Sequence, residues 1–311
     1  MSNTQARSRI LLTGATGFIG QRLQKALELD GHEVVTVSRR ASNDSKKVLN
    51  IDLSRQEIAT EELREIETVY HLAGYAHDLS DPSKVADRYR ALNTDGTLNL
   101  ARASIAAGVK RFIFVSSVKA GGITSTGLDM DETSVAQPDG IYGETKRKAE
   151  EALLSLTKSE TMNATVVRPA LVYGPAVKGN LALMLNGIEA GWFPPIPETR
   201  NQRSMIHVDD LVEALLFVAS HPSTAGEIFI TTDGQRYSTK RIYDELREAL
   251  GKSPTRLAIP KVGFDILGKV RPNLGFKLQK LFGNERYSSA KLQALGFNAS
   301  RTLRDINETR Y

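Results

Sequence analysis

The stretch Thr13-Gly-Ala-Thr-Gly-Phe-Ile-Gly20 decides the reading of this chain. It sets Gly14, Gly17 and Gly20 at three-residue intervals between a short branched apolar run, Arg9 to Leu12 (RILL), and a segment, Phe18 to Leu29, whose apolar residues recur at helical spacing. A strand, a glycine turn and a helix in that order make a phosphate-binding turn. One glycine forms the tight bend, one admits the backbone to a pyrophosphate, and one lets the helix pack on the strand, with the phosphates on the helix N-terminus. Phe18 and Ile19, between the last two glycines, join them as cofactor-binding candidates.

Outward from this turn, Glu33 to Val37 (EVVTV), Val48 to Ile51, Thr68 to Leu72 (TVYHL), Arg111 to Val115 (RFIFV), Ala164 to Val167 (ATVV) and Glu227 to Ile230 read as strands. Thr94 to Ala107, Tyr142 to Leu156 and Asp209 to Ala219 read as helices, with Asp209 and Asp210 as the cap of the last rather than as reacting groups. Strands alternating with helices require right-handed crossovers and a parallel sheet covered on both faces, an α/β Rossmann fold with a doubly wound sheet. From Gly174 to Arg203, Pro175, Pro194, Pro195 and Pro197 predict loops around a ligand. The expected organisation is an NAD(P)-binding domain over 8–173, to which 205–232 returns, and a smaller substrate-binding region formed by 174–204 and 233–311.

Composition bounds the function. The 311 residues are 41% hydrophobic and 25% charged, which is globular rather than disordered. The net charge of +5 comes from Lys and Arg interspersed among 36 acidic residues, a pattern that suits an anionic small molecule better than a nucleic acid. With no cysteine, disulfides, thiolate metal sites and cysteine nucleophiles are excluded. The polar start MSNTQARSR and the lack of any apolar run of about 18 residues predict a cytoplasmic protein without a membrane span.

Tyr142-Gly-Glu-Thr-Lys146 puts a phenol and an ammonium one turn apart on one helix face. Hydride transfer at a carbinol or carbonyl carbon needs an acid/base for the oxygen's proton, and a cation beside a tyrosine favours its phenolate. Ser116 and Ser117 follow the strand RFIFV, where a hydroxyl meets a ligand at the carboxyl ends of the strands. Ser117 is the candidate to hold the reacting oxygen; Ser116 reads as a cofactor neighbour or an ordinary strand-end cap. After the second strand, Ser38-Arg39-Arg40 offers donors for a 2′-phosphate, so NADP is the expected cofactor and NAD the alternative. Asp52 and Leu53, after the third strand, fall near the adenine edge. His71 and His207 read as structural, since no second metal-ligand type stands at a suitable spacing and no metal is expected.

Taken together, TGATGFIG, IDL at 51–53, HLAG at 71–74, Asn93 in LNTDGTLNL, FVSS at 114–117, YGETK, RPALVYGP at 168–175 and RSMIHVDDL at 203–211 resemble the extended short-chain dehydrogenase/reductases of the NAD-dependent epimerase/dehydratase family. That family includes UDP-glucose 4-epimerase and the UDP-N-acetylquinovosamine dehydrogenases of bacterial surface-polysaccharide synthesis. The resemblance implies Ser117, Tyr142 and Lys146 as the catalytic triad, with Lys146 also on the nicotinamide ribose. It places Leu72, Ala73, Gly74, Asn93, Pro169 and Val172 around the cofactor, Asn180 and Arg203 on the substrate diphosphate, and a homodimer through the Thr94 and Tyr142 helices. Gly283-Asn284-Glu285-Arg286 is a further candidate for the nucleotide's surroundings.

Within the family a net reductase draws on NADPH, so Ser38-Arg39-Arg40 favours C4 reduction of a UDP-4-keto-6-deoxy-N-acetylhexosamine. The alternative is a UDP-hexose 4-epimerase, which reuses one bound nicotinamide. The absence of an Asp-Glu pair after Ser117, where Val118 and Lys119 stand, argues against a 4,6-dehydratase. A non-catalytic NADP-binding sensor or scaffold on the same fold remains the non-enzyme alternative and would be expected to have lost Tyr142 or Lys146.

Overall fold

Alternating burial builds the sheet. Along β1 (Arg9–Thr13), Ile10 and Leu12 turn to one face and Leu11 to the other. The same split divides Val34 from Val35 on β2 (Glu33–Ser38), Tyr70 from Val69 on β4 (Ile66–His71), Ile113 from Phe112 on β5 (Arg111–Val115) and Val167 from Val166 on β6 (Asn163–Pro169). Strands apolar on both sides are what a doubly covered parallel sheet requires. With β3 (Val48–Asn50) and β9 (Ile228–Thr231) the order is β3-β2-β1-β4-β5-β6-β9, all neighbours parallel. The order reverses between β1 and β4, and the carboxyl ends of strands at such a reversal part to leave a ligand crevice. This computed structural model describes residues 7–39, 47–76, 82–123, 128–134, 136–198, 200–253 and 282–311.

One face is covered by α1 (Phe18–Leu29), through Leu23, Ala26 and Leu27, and by α7 (Val208–Ser220), through Leu211, Leu215 and Val218. On the other lie α3 (Thr97–Ala106), through Leu100 and Ala101, and α5 (Gly140–Thr157), through Ala149 and Leu153. A separate apolar cluster joins β7 (Leu171–Tyr173), β8 (Met205–His207), α6 (Gly179–Glu189) and α8 (Thr239–Ala249). β7 and β8 pair in parallel as a two-stranded sheet of their own. At the foot of α6 the Trp192 indole lies against Gly187, where a Cβ would come within 2.8 Å of the ring, and it stays 64% exposed. Among the described residues no helix is long and apolar enough to cross a membrane.

Three expectations are corrected. The helix expected from Thr94 starts with α2 (Pro82–Arg90) and passes through a π turn, Ala91–Gly96, before α3. In the polar sequence of α2 the buried apolar anchors among the described side chains are Val85 and Tyr89, four residues apart, too few to give a visible period. The segment expected to be loops contains α6, because Pro175 and Pro194 flank its eleven residues rather than interrupt them. Asp209 and Asp210 do not cap α7. The cap is His207, whose Nδ1 accepts from the Asp209 N–H at 3.1 Å. Asp209 instead meets Arg22 Nε at 3.3 Å and the Arg310 N–H at 2.7 Å, while Asp210 takes the N–H groups of Ser300 (3.2 Å) and Arg301 (2.8 Å). Both carboxylates thus tie the chain after residue 299 to α7.

Asp233 joins the sheet to the second cluster. Its Oδ2 accepts from the hydroxyls of Tyr173 (2.9 Å) and Tyr237 (2.8 Å), and the Tyr237 oxygen in turn accepts from the Leu303 N–H at 3.0 Å. Burial pushes the carboxyl up to about 6, with the two phenols and the Gln235 N–H acting against it. A carboxyl whose folded pKa lies above its unfolded value stabilises the fold fully below about pH 4 and loses that contribution as the pH rises through about 6. Urea unfolding of wild type and Asp233→Asn across this range is therefore expected to shift in favour of Asn by up to about 2 kcal/mol as the pH rises. A constant difference between the two proteins counts against this.

Candidate active site

The glycine turn closes on the crevice. Gly14 has φ +74°, and a Cβ on it would come within 2.8 Å of the Leu72 carbonyl carbon and the Ala73 nitrogen. A Cβ on Gly20 would come within 2.1 Å of the Gly14 oxygen, which already accepts from the Gly17 N–H at 2.9 Å. Gly17 is the N-cap of α1, and the first turn carries neither a capping side chain nor an acidic residue, which leaves the helix's positive end open for an anion. Phe18 packs toward the second cluster and Ile19 toward the sheet core.

A chain of hydroxyls lies beneath the turn. Thr13 Oγ1 accepts from the Ala73 N–H at 3.0 Å and, because the neutral His71 carries its proton on Nε2, donates to His71 Nδ1 at 2.7 Å. His71 then donates from Nε2 to Thr97 Oγ1 (2.9 Å), which donates to the Asn93 carbonyl (2.8 Å). Burial, with Lys146 adding to it, pushes His71 down to about 3, so it is a neutral structural bridge. Sequence reasoning assigned Asn93 to the cofactor. The structure places it fully buried, its Oδ1 accepting from the Tyr75 N–H (2.7 Å) and its Nδ2 donating to the Tyr75 carbonyl (3.1 Å) and Thr145 Oγ1 (3.2 Å). It braces the loop after β4 against α5. Thr13 was missed because a threonine at a strand end has no signature apart from ordinary β propensity, and Thr97 and Thr145 because a lone threonine on a helix has no signature of its own.

Ser117, Tyr142 and Lys146 come together. Ser117 follows β5 and caps the short α4 (Val118–Gly121) through Oγ, which accepts from the Lys119 N–H at 3.3 Å. α4 presses on the start of α5 so closely that a Cβ on Gly143 would lie 2.4 Å from the Lys119 oxygen, and Lys119 pairs with Asp139 at 3.1 Å. Contrary to the expectation of a lowered phenol, burial pushes Tyr142 up to about 12, with the neighbouring Ser117 hydroxyl acting against it. Lys146, buried, donates to the Val115 carbonyl at 3.0 Å and lies over the Phe114 ring at 4.5 Å. Its Nζ is 3.2 Å from where a Gly74 Cβ would stand, and burial draws it down to about 8, opposed by Glu150. The Ser116 hydroxyl is buried with no partner among the described residues.

The remaining candidates are dispersed. Ser38 ends β2, Arg39 follows it exposed, and Arg40 lies outside the described residues. Asp52 accepts from Ser54 Oγ (2.6 Å) and N–H (3.0 Å), bonds that hold its carboxyl low with help from Arg39 and Arg55, while Leu53 is buried in the core. Pro169 ends β6 and Val172 lies on β7. Asn180 is exposed as the second residue of α6. Arg203 pairs with Glu285 at 2.8 Å and exchanges backbone bonds with Tyr237 (2.9 and 3.0 Å), which brings the Gly283–Arg286 stretch beside it.

A profile of the NAD dependent epimerase/dehydratase family matches residues 10–230, and the chain belongs to that family, an extended short-chain dehydrogenase/reductase enzyme. It is 34% identical over 267 residues to a UDP-glucose 4-epimerase from Vibrio cholerae, covering 84% of this chain and 81% of that one. It is 27% identical over 308 residues, 94% and 91% of the two chains, to the N-acetyl-alpha-D-glucosaminyl-diphospho-ditrans,octacis-undecaprenol 4-epimerase of Escherichia coli O157:H7. The solved structure of MoeE5 in complex with UDP-glucose and NAD shares the fold, with a TM-score of 0.76, 24% identity and 96% coverage of both chains.

The contacts at Gly20 yield a prediction. Gly20→Ala must part α1 from the Gly14 carbonyl, with an expected loss of about 1–3 kcal/mol of stability and at least tenfold of NADH affinity. Thermal unfolding and titration calorimetry measure the two, and unchanged affinity would refute the assignment of this turn to the cofactor.

Proposed function

We propose that this protein interconverts UDP-linked hexoses at C4, as a 4-epimerase using NAD. The observation that carries the reading is the close packing of α4, which Ser117 caps, on the start of α5, which bears Tyr142 and the buried Lys146, all at the crevice that the glycine turn borders. The identity with a UDP-glucose 4-epimerase, and the NAD and UDP-glucose held by MoeE5, support it. The open end of α1 and the glycines that leave no room for a Cβ suit a dinucleotide's pyrophosphate, and the orphaned Ser116 hydroxyl suits a cofactor edge.

A bound NAD would supply the acceptor and donor for the hydride of the sugar's C4. Ser117 holds the C4 oxygen next to the Tyr142 phenol. Tyr142 rests protonated, the form that returns a proton to a keto oxygen; taking the hydroxyl proton requires its phenolate, the form that a cation one helical turn away, Lys146, favours in principle. Arg203 supplies a planar fork of donors for the diphosphate, in exchange with Glu285, and Asn180 assists from α6. Pairing of two copies through α3 and α5 belongs to the same proposal.

One observation favours a second reading, C4 reduction of a UDP-4-keto sugar with NADPH. Arg39 stands exposed directly after Ser38 at the end of β2, where a 2′-phosphate would lie. The two readings separate in one assay. An epimerase converts UDP-glucose or UDP-N-acetylglucosamine to its C4 epimer without added reductant; a ketoreductase instead oxidises NADPH in the presence of UDP-4-keto-6-deoxy-N-acetylglucosamine. Tyr142→Phe is expected to lower either rate by about 10²–10⁴-fold while cofactor binding persists. Full cellular function in that variant would instead favour a cofactor-binding sensor.

A further inference from the structure

Four residues beyond Lys146 on the same helix, Glu150 is buried to 1% exposure and gripped by Arg168 of β6. Arg168 donates through Nε to both carboxylate oxygens (3.0 and 3.2 Å) and through Nη2 to Oε2 at 2.5 Å. A buried ion pair is a poor source of net stability, since desolvation offsets most of the attraction, so its presence under a reaction site asks for another account. The other end of Arg168 supplies one. Its Nη1 stands 3.2 Å from where a Gly121 Cβ would be, so the guanidinium fills the place of a side chain under α4, the short helix that Ser117 caps. From the opposite side, Arg147 of α5 donates to the Gly121 carbonyl at 3.0 Å.

We infer that Arg168 and Glu150 form a positioning unit for the site: Arg168 spaces the helix that carries Ser117 from the helix that carries Tyr142 and Lys146, and Glu150 supplies the negative charge that faces the Lys146 ammonium. The inference rests on the reading of Lys146 proposed above. Among the described residues the surroundings of that ammonium hold no other countercharge. β5 presents the Val115 carbonyl and the Phe114 ring, β4 the neutral His71, the π turn the amide of Asn93, and α5 the Tyr142 phenol and Glu150, with Arg168 of β6 behind it. Among the described residues Glu150 is the one carboxylate acting on Lys146, and it opposes the effect of burial. Neither residue touches substrate or cofactor in this account; both act through Lys146 and Ser117.

The test is the pH dependence of NADH affinity and of turnover in wild type, Glu150→Gln and Glu150→Asp, from neutral to alkaline pH. Without the carboxylate the ammonium loses its proton earlier, so the alkaline midpoint of Glu150→Gln is expected to fall by on the order of one pH unit. Glu150→Asp, which keeps the charge, is expected to hold the wild-type midpoint even if its rate drops. A shared midpoint for wild type and Glu150→Gln, with only uniform losses, overturns the inference and leaves a packing role. Should Glu150→Gln fail to fold, the Glu150→Gln/Arg168→Gln double variant, which does not strand the Arg168 guanidinium, replaces it and is expected to shift the same way. Lys146→Met keeps the two claims apart. If it retains the alkaline limb, the limb is not that of Lys146 and the reading of the site fails; if it abolishes the limb while Glu150→Gln leaves it in place, only the inference fails.

Discussion

Everything at the crevice depends on an approach of backbone to backbone that leaves no room for a side chain. The Gly14 carbonyl lies under the first turn of α1, where a Cβ on Gly20 would stand 2.1 Å from it, while Gly14 itself touches the backbone after β4. These contacts fix the distance between β1, α1 and the Leu72–Gly74 loop, and thereby the width of the opening at the strand-order reversal. A close-packed interior transmits such a constraint over several residues rather than absorbing it locally. Thr13, His71 and Thr97 carry it on to Asn93, and Asn93 carries it to Tyr75 and to α5. The helix that bears Tyr142 and Lys146 is in this way referenced to the glycine turn through neutral hydrogen bonds.

Much of this was legible in the chain. The parallel sheet followed from apolar runs separated by amphipathic helices, and TGATGFIG and YGETK marked the glycine turn and the helix that bears Tyr142 and Lys146. What stayed hidden had weak or misleading local signals. α2 buries Val85 and Tyr89 within an otherwise charged sequence, and α6 runs between prolines that suggested loops. The acidic pair at 209 and 210 read as a cap because it opens a helix, yet its partners, Arg22, Ser300, Arg301 and Arg310, stand about 90 or more residues away or on another element, beyond the reach of spacing rules. Burial likewise reversed the expected direction at Tyr142, since desolvation of a phenol depends on neighbours that only the fold supplies.

The polar interior divides by charge. On the α1 and α7 side, carboxylates meet arginines of the C-terminal stretch and hold the chain end in place. On the α5 side, the bidentate Arg168–Glu150 pair lies below the candidate site. Between them the His71 bridge is uncharged, which keeps the floor of the crevice free of fixed ions beneath the position of the glycine turn. Such an arrangement confines strong fields to the periphery and to one helix face.

The chain contains a single tryptophan, and it is Trp192, lying across Gly187 at the end of α6 with most of its indole in solvent. The intrinsic ultraviolet emission of the whole protein is therefore dominated by one position in the region that bears Asn180, on a helix separate from the sheet and its glycine turn. Changes in that emission register rearrangement around α6 and leave the sheet nearly silent, so the molecule has a built-in optical label on its second cluster that needs no engineering.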